Sequence, residues 1–480
     1  MTANGLNRYC IFIALIIYGG VASVVLHAQE ARKPGKEDDP KTLSAFEVST
    51  SAGKGYVTGN AASALKTNQS IMKLPQPITV LTRDLIDDTA GIDTSQVLKF
   101  VGATSFFRGE SIMLRGTRIS NALVDEVSSA VAYMDNATVD SMEVIKGPAA
   151  VLYGTRADLG GIVLKTTKKP LAISQHTVSL RADELGMYRG EIDSTGPIGS
   201  IGEGRFSYRL IGVYQDGEVF RKNMKDKRQV IAPSMQLNYK NTLVRVQHEY
   251  QIFDHNPWSI NFVTPQGKLY YGAGRDEGYF ASWSNEHTKA YTTRATLLHT
   301  FTPGWEMRLM LHDYSYHRNS KQLFSSAGIN WNDQTIGWNR SVADLHQRSY
   351  GYTADFKGEF TTGKLVHQGA AGLYSNFSVN NNKNFIVSNF ANPSRRPIDN
   401  PVVDSIPETP DSSILRNPTV PGTRNNSSGI NLYYSHTVEV IPDKLILVGG
   451  LSRFSAEVSN VVNTRGLYQT RPIRLGAISH

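Results

Sequence analysis

Cysteine is almost missing from this chain: one in 480 residues, at Cys10. With its single thiol at the extreme N-terminus, the body of the protein holds no disulfide framework, no cysteine-ligated metal and no cysteine nucleophile. Long apolar runs are equally scarce. After Cys10–Leu26 no stretch approaches the ~18 apolar residues a spanning helix needs. The 12 histidines are dispersed and none has metal-ligand spacing. No nucleophile and base come together, so the chain reads as a non-enzyme without cofactor or bound metal. Ser51-Ala-Gly-Lys54 has the S-x-x-K form but lacks its partner motifs. The net charge of +8 is scattered with no basic stripe, which argues against a nucleic-acid partner.

What is present favours strands. There are 22 Tyr, 18 Phe and 41 Gly, a composition of short strands and turns. At the N-terminus Arg8 precedes the apolar run, and Leu26-His27-Ala28 follows it. This is the layout of a signal peptide over residues 1–28, with an uncleaved anchor as the competing reading. Residues 29–60 read as a linker, polar and proline-containing at its start. Within it Thr42-Leu43-Ser44-Ala45-Phe46-Glu47-Val48 alternates apolar and polar. Such a segment can add as a strand to a partner's sheet edge, or open the next domain. Residues 61–170 suggest a small α+β domain. Strands are expected at Ile78–Leu81, Ser111–Arg115, Asn121–Asp125 and Gly160–Thr167, a Thr82-capped helix follows the first, a second short helix starts at Thr94, and Val139–Ile145 runs from helix into strand.

From residue 171 the period changes to two. Trp305, Met307, Leu309 and Leu311 share a face opposite Glu306, Arg308 and His312; Tyr291, Ala295, Leu297 and Phe301 oppose Thr292, Arg294 and Thr296. This is the pattern of a transmembrane strand, although a soluble sandwich shares it. About ten strands are expected, near 176–193, 205–215, 229–239, 242–252, 290–301, 305–317, 348–360, 365–378, 429–441 and 444–456. Short turns are expected at 194–204, 240–241, 302–304, 361–364 and 442–443, and long polar connections at 216–228, 253–289, 318–347 and 379–428. Long loops gathered at one end fit an outer-membrane barrel rather than a sandwich.

Residues 139–170 then become specific. Val139-Asp-Ser-Met-Glu143-Val-Ile-Lys146-Gly147-Pro148-Ala-Ala-Val-Leu-Tyr153-Gly154, followed by Gly160-Gly161-Ile-Val and Thr167-Lys-Lys-Pro170, resembles the end of the plug domain of TonB-dependent outer-membrane receptors. Leu74–Thr82 resembles the plug's opening strand, and Met113-Leu114-Arg115-Gly116 its "R-G" strand. Glu126 stands where the family usually has Gly, and Leu164 where Asn is frequent. The resemblance implies an α+β plug over 61–170 and antiparallel transmembrane β-barrel strands over 171–480, about ten of the 22 of a plugged transporter. The chain is therefore expected to be a fragment or truncated product.

The resemblance further implies energised uptake of a scarce, bulky nutrient, a ferric siderophore above all, with cobalamin, an oligosaccharide or a non-transporting remnant as alternatives. The implied partners are TonB with ExbB and ExbD, engaging Thr42–Val48 as the TonB box, together with outer-membrane lipid. Gly147-Pro148 and Tyr153-Gly154 are expected to be turn points. Arg115 is a candidate for a buried ion pair between plug and barrel, or a solvated surface arginine. Phe106-Phe107-Arg108 is a candidate ligand-binding apex, or plug core. Trp258, Tyr270, Tyr271, Trp283, Trp331 and Trp338 are candidates for ligand stacking or an interfacial belt.

Overall fold

A computed structural model describes residues 77–146 and 161–479, apart from stretches within them, together with Tyr56, Asn60–Ala61 and Gln69–Ser70. The pair β1 (Asn60–Ala61) and β2 (Gln69–Ser70) precedes the plug. The plug then runs β3 (Ile78–Leu81), α1 (Arg83–Asp88), α2 (Thr94–Leu98), β4 (Thr104–Phe106), β5 (Ser111–Leu114), β6 (Thr117–Ile119), β7 (Ala122–Val124), β8 (Val127–Ser129), β9 (Val139–Ile145) and β10 (Ile162–Thr167). Its main sheet has the order β3-β9-β10-β7-β8, with β10 and β7 parallel. A second small sheet holds β4-β5-β6.

Local chemistry explains the helix starts. The Thr82 hydroxyl accepts from the Leu85 amide at 3.4 Å. Asp93 and Gln96 form a reciprocal capping box. The segment Val139–Ile145, expected to run from helix into strand, is strand throughout, and the helical element just before it is a single 3-10 turn, Asn136–Thr138, capped by Asp135. Leu81, Ile86, Val97, Leu98, Met142, Val144 and Val163 form the core, all 2% exposed or less. Each such side chain contributes about 1.5–3 kcal/mol of burial. Gly161 closes the sheet where no other residue fits: its φ is +133°, and a Cβ there would lie 2.5 Å from the Ile145 carbonyl oxygen.

The second part is one antiparallel wall. Its strands pair in sequence order: β11 (Gln175–Ala182), β12 (Tyr188–Ile201), β13 (Gly204–Asp216), β14 (Asp226–Tyr239), β15 (Thr242–His255), β18 (Asn285–Thr302), β19 (Trp305–Asn330), β20 (Thr335–Thr362), β21 (Leu365–Ile386), β23 (Thr423–Ile441), β24 (Leu445–Thr464) and β25 (Leu467–Ser479). The short β16 (Phe262–Val263), β17 (Leu269–Tyr270) and β22 (Ser394–Pro397) lie in the connections. Strands β11 and β25 are the two ends of the sheet.

Four expectations about the wall are corrected. The single strand near 176–193 is a hairpin, β11–β12, because Asp183 turns the chain by accepting from the Leu185 and Met187 amides at 2.9 and 3.0 Å. Strand β12 then runs through the expected turn to Ile201, and β25 adds a twelfth wall strand. The expected loop 318–347 is mostly strand, since β19 and β20 stay paired out to Asn330 and Thr335. The backbone ladder continues there, and Leu323, Ile336 and Trp338 of the two strands pack into a separate hydrophobic core.

The wall's faces follow the alternation. Leu309 and Leu311 are 42% and 62% exposed, whereas Arg308 and His312 are 7% and 4% exposed. A ring belt runs along the apolar face near the short turns. Trp305 lies 5.5 Å from Phe356 and 6.3 Å from Phe360, and Phe360 stacks at 4.7 Å on His367. Rings at the edge of an apolar band are the interfacial girdle of an outer-membrane wall.

Candidate functional site

The functional geometry lies where the plug meets the wall's polar face. Ala137 packs there against Ile211, Val213 and Val230. Around this contact three plug carboxylates meet three wall arginines. Asp135 accepts from both terminal nitrogens of Arg189, at 2.9 and 2.7 Å, and the two side chains are 0% and 1% exposed. Arg189 also donates to Glu191 at 2.5 Å and to Gln215 at 2.9 Å, so its fork is filled. Asp125 pairs with Arg294 at 3.1 Å and accepts from the Thr167 amide and hydroxyl at 3.0 and 2.6 Å. Glu126 takes both terminal nitrogens of Arg308, at 3.1 and 2.7 Å. Arg308 also binds Asp355, which the Tyr433 hydroxyl contacts in turn.

Asp125 and Glu126 form the turn of the hairpin β7–β8, with φ of 47° and 69°. Two positive φ values in a two-residue hairpin turn are the geometry that favours Gly and Asn, and a larger residue costs about 1–2 kcal/mol at each position. The ion pairs offset that cost. Burial opposes ionisation of Asp125 and Asp135. Arg294 and Lys169 outweigh it at the first and Arg189 and Arg228 at the second, holding both carboxyls below the usual carboxylate range. The edge of β10 is tied to the wall as well. Gln247 donates to Thr167 at 3.0 Å, Lys168 pairs with Asp193 at 2.8 Å, and Arg209 donates to the Lys169 carbonyl at 3.0 Å.

Lys165 of β10 is 1% exposed. Burial pushes its ammonium down to about 8, against the pull of Asp93, Glu249 and Asp135. The folded value lies below the unfolded 10.5, so the folded chain loses this proton first as pH rises. Stability therefore rises between about pH 8 and 10.5 and sits at its lower level below that window. Lys165→Met is expected to raise plug stability near pH 7 by roughly 2–3 kcal/mol and to flatten this slope. Chemical denaturation at pH 7 and pH 10 measures both effects.

Several expected site residues lie outside the described residues: Thr42–Val48, Phe107, Arg108, Gly147, Pro148, Tyr153, Gly154, Gly160, Trp258 and Tyr271. Phe106 is described in backbone only, as the end of β4. Arg115 is corrected: it is exposed in the β5–β6 turn, with φ of 54° beside Gly116 at 77°. The three carboxylate–arginine pairs across the seam have the opposite polarity, with acids on the plug and arginines on the wall, while Lys168–Asp193 places the cation on the plug. Glu143 is buried in β9, and Lys146 donates to the Val101 carbonyl at 3.2 Å.

Trp283, Trp331, Trp338 and Tyr270 are corrected too. They pack with Tyr279, Leu323, Ile336, Ile398 and Ile406 in a second hydrophobic core, formed on the long-loop side by β19–β20 and the adjoining connections. Trp283 donates to the Ile406 carbonyl at 2.9 Å, and Asp404 accepts from the Ser282 amide at 2.6 Å. These rings hold loops together. The polar face of the wall adds Tyr314, Tyr316 and a His312–Tyr374 stack at 5.9 Å.

The plug is held by the polar face of a wall whose other face is apolar and ring-belted, the two-faced pattern of an outer-membrane strand wall. Residues 70–162 match the TonB-dependent Receptor Plug Domain. Plug, wall and the relatives below make the chain similar to TonB-dependent outer-membrane receptors. It is 28% identical over 391 residues to the metal-pseudopaline receptor of Pseudomonas aeruginosa, covering 76% of this chain and 52% of that protein. It is 24% identical over 393 residues to the ferrioxamine receptor of Yersinia enterocolitica, covering 77% and 52%. The chain thus spans about half the length of these curated relatives. The pyoverdine outer-membrane receptor of Pseudomonas aeruginosa, solved with pyoverdine, shares the fold at a TM-score of 0.76 and 20% identity, over 92% of this chain and 64% of that one.

Proposed function

We propose that this protein serves the energised uptake of a ferric siderophore or similar metal chelate, with TonB engaging residues 42–48. The observation that carries this reading is the seating of the plug by buried, breakable ion pairs rather than by a continuous apolar core. Such pairs hold a closed state firmly and come apart as discrete steps. Aromatic and cationic side chains on the wall's polar face suit an anionic, bulky chelate. The relatives named for metal-pseudopaline, ferrioxamine and ferripyoverdine point to the same ligand class.

The test is uptake of radioiron-labelled chelates by receptor-deleted cells expressing the chain. Ferrioxamine and pyoverdine serve as probes, with labelled cobalamin and an oligosaccharide alongside. Iron uptake above background that Phe46→Pro abolishes while chelate binding persists supports the proposal, because proline removes a ladder hydrogen bond from an added strand. Iron uptake that continues in cells lacking TonB, or no binding of any chelate, overturns it.

A further inference from the structure

We propose that the Asp125–Glu126 turn is the fixed point of the plug, a two-armed clamp that keeps the hairpin β7–β8 and strand β10 on the wall while the opposite edge of the sheet peels away. This inference rests on the energised-receptor reading and adds where within the plug the moving part ends.

The two turn residues are adjacent in sequence but splay to different wall strands. Asp125 reaches Arg294 on β18, and Glu126 reaches Arg308 on β19. Arg308 is held from behind by Asp355 of β20, which also binds Tyr433 of β23. One turn is thereby tied to a network across four wall strands. The Asp125 carboxylate also binds Thr167 at the end of β10, and Thr167 accepts from Gln247 of β15. Backbone geometry marks the turn as selected for its side chains. Both residues hold positive φ, where glycine would sit without strain, and both carry carboxylates placed to meet arginines.

The other edge is built differently. Strand β3 is the sheet's far edge, and its partner is β9 alone, over four residues. It is also the part of the sheet nearest the N-terminal segment through which a pull would arrive. Helix α1 follows it, held to the anchored region by Arg83, which donates to the Asn136 and Val139 carbonyls at 2.7 and 2.6 Å. A force applied upstream of Ile78 meets the short edge ladder first, then the Arg83 bonds and the core packing of Leu81 and Ile86. It meets the clamp last. The plug therefore divides, with β3 and α1 as the releasable side and β7, β8 and β10 as the anchored side.

Hydrogen exchange of the full chain in outer-membrane lipid vesicles tests this directly. In the wild type, amides of Ile78–Leu81 are expected to exchange about tenfold faster or more than those of Ala122–Val124 and Ile162–Thr167. Glu126→Gly relieves the turn's backbone and removes one arm. It is expected to speed exchange in β7–β8 by about tenfold while leaving β3 unchanged. Glu126→Gln, which keeps the side chain's length, is expected to move the hairpin in the same direction. A wild type with β3 as protected as β7, or a Glu126→Gly hairpin as protected as the wild type, overturns the proposal. Exchange is read without any transport, so a failed clamp and a failed uptake assay are told apart.

Discussion

Arg189→Met is expected to unseat the plug at a cost of about 3–5 kcal/mol, the penalty of leaving a buried carboxylate without its partner. Asp135 is fully buried, and Arg189 supplies two of its hydrogen bonds. Methionine fills much of the same volume but donates nothing. Arg228, 3.8 Å from Asp135, is too distant to replace the lost fork. The damage spreads, because Asp135 caps the turn before β9 through the Ala137 amide at 2.9 Å. Protease sensitivity of residues 134–146 and the midpoint of chemical denaturation measure the loss. The double variant Arg189→Met with Asp135→Asn is expected to be milder than the sum of the single ones, since asparagine leaves no uncompensated charge. Strict additivity in that cycle would show that the pair does not act as a unit.

Trp338→Ala is expected to collapse the core on the long-loop side, also by about 3–5 kcal/mol. Trp338 is 1% exposed and stacks on Tyr279 with ring centres 6.3 Å apart. It sits on β20 between Ser325 of β19 and Ser394 of β22, so its ring joins the extended hairpin to a connection folded back over it. Removing it opens a cavity within this apolar cluster. Proteolytic nicking is expected within 262–284 and 394–406, with the plug unaffected. Trp338→Phe is expected to cost about 1 kcal/mol or little more. The indole nitrogen has no hydrogen-bond partner among the described residues, so only ring volume is lost. Equal damage from both variants would exclude packing as the cause.

Sequence legibility tracked the physics of each region. Strands bounded by lipid were legible because lipid imposes a strict apolar face: Leu309 and Leu311 against Arg308 and His312 needed only counting. Where β19 and β20 pass beyond that band the constraint vanishes, and a paired strand looked like a loop. The plug's core helices and strands were legible from the Thr82 cap and from apolar spacing at Thr94–Leu98 and Ile162–Thr167, while the Asp93 cap of the second helix was not read. Its seating was not. Asp125, Asp135, Arg189, Arg294 and Arg308 look like ordinary turn and strand residues until the chain brings together positions far apart in sequence. One signal was available. Glu126 at a place that favours glycine was visible as an oddity, and its meaning emerged once Arg308 stood opposite.

That long reach sets an order of assembly. Glu126 and Arg308 are separated by 182 positions, and Asp135 and Arg189 by 54. The plug's carboxylates are synthesised well before their arginines, and closing such distant contacts is slow. Until β18 and β19 are in place, the hairpin β7–β8 holds two strained residues with nothing to offset them. The plug's seat is thus completed by its frame: the strain of the turn is offset only once β18 and β19 stand beside it.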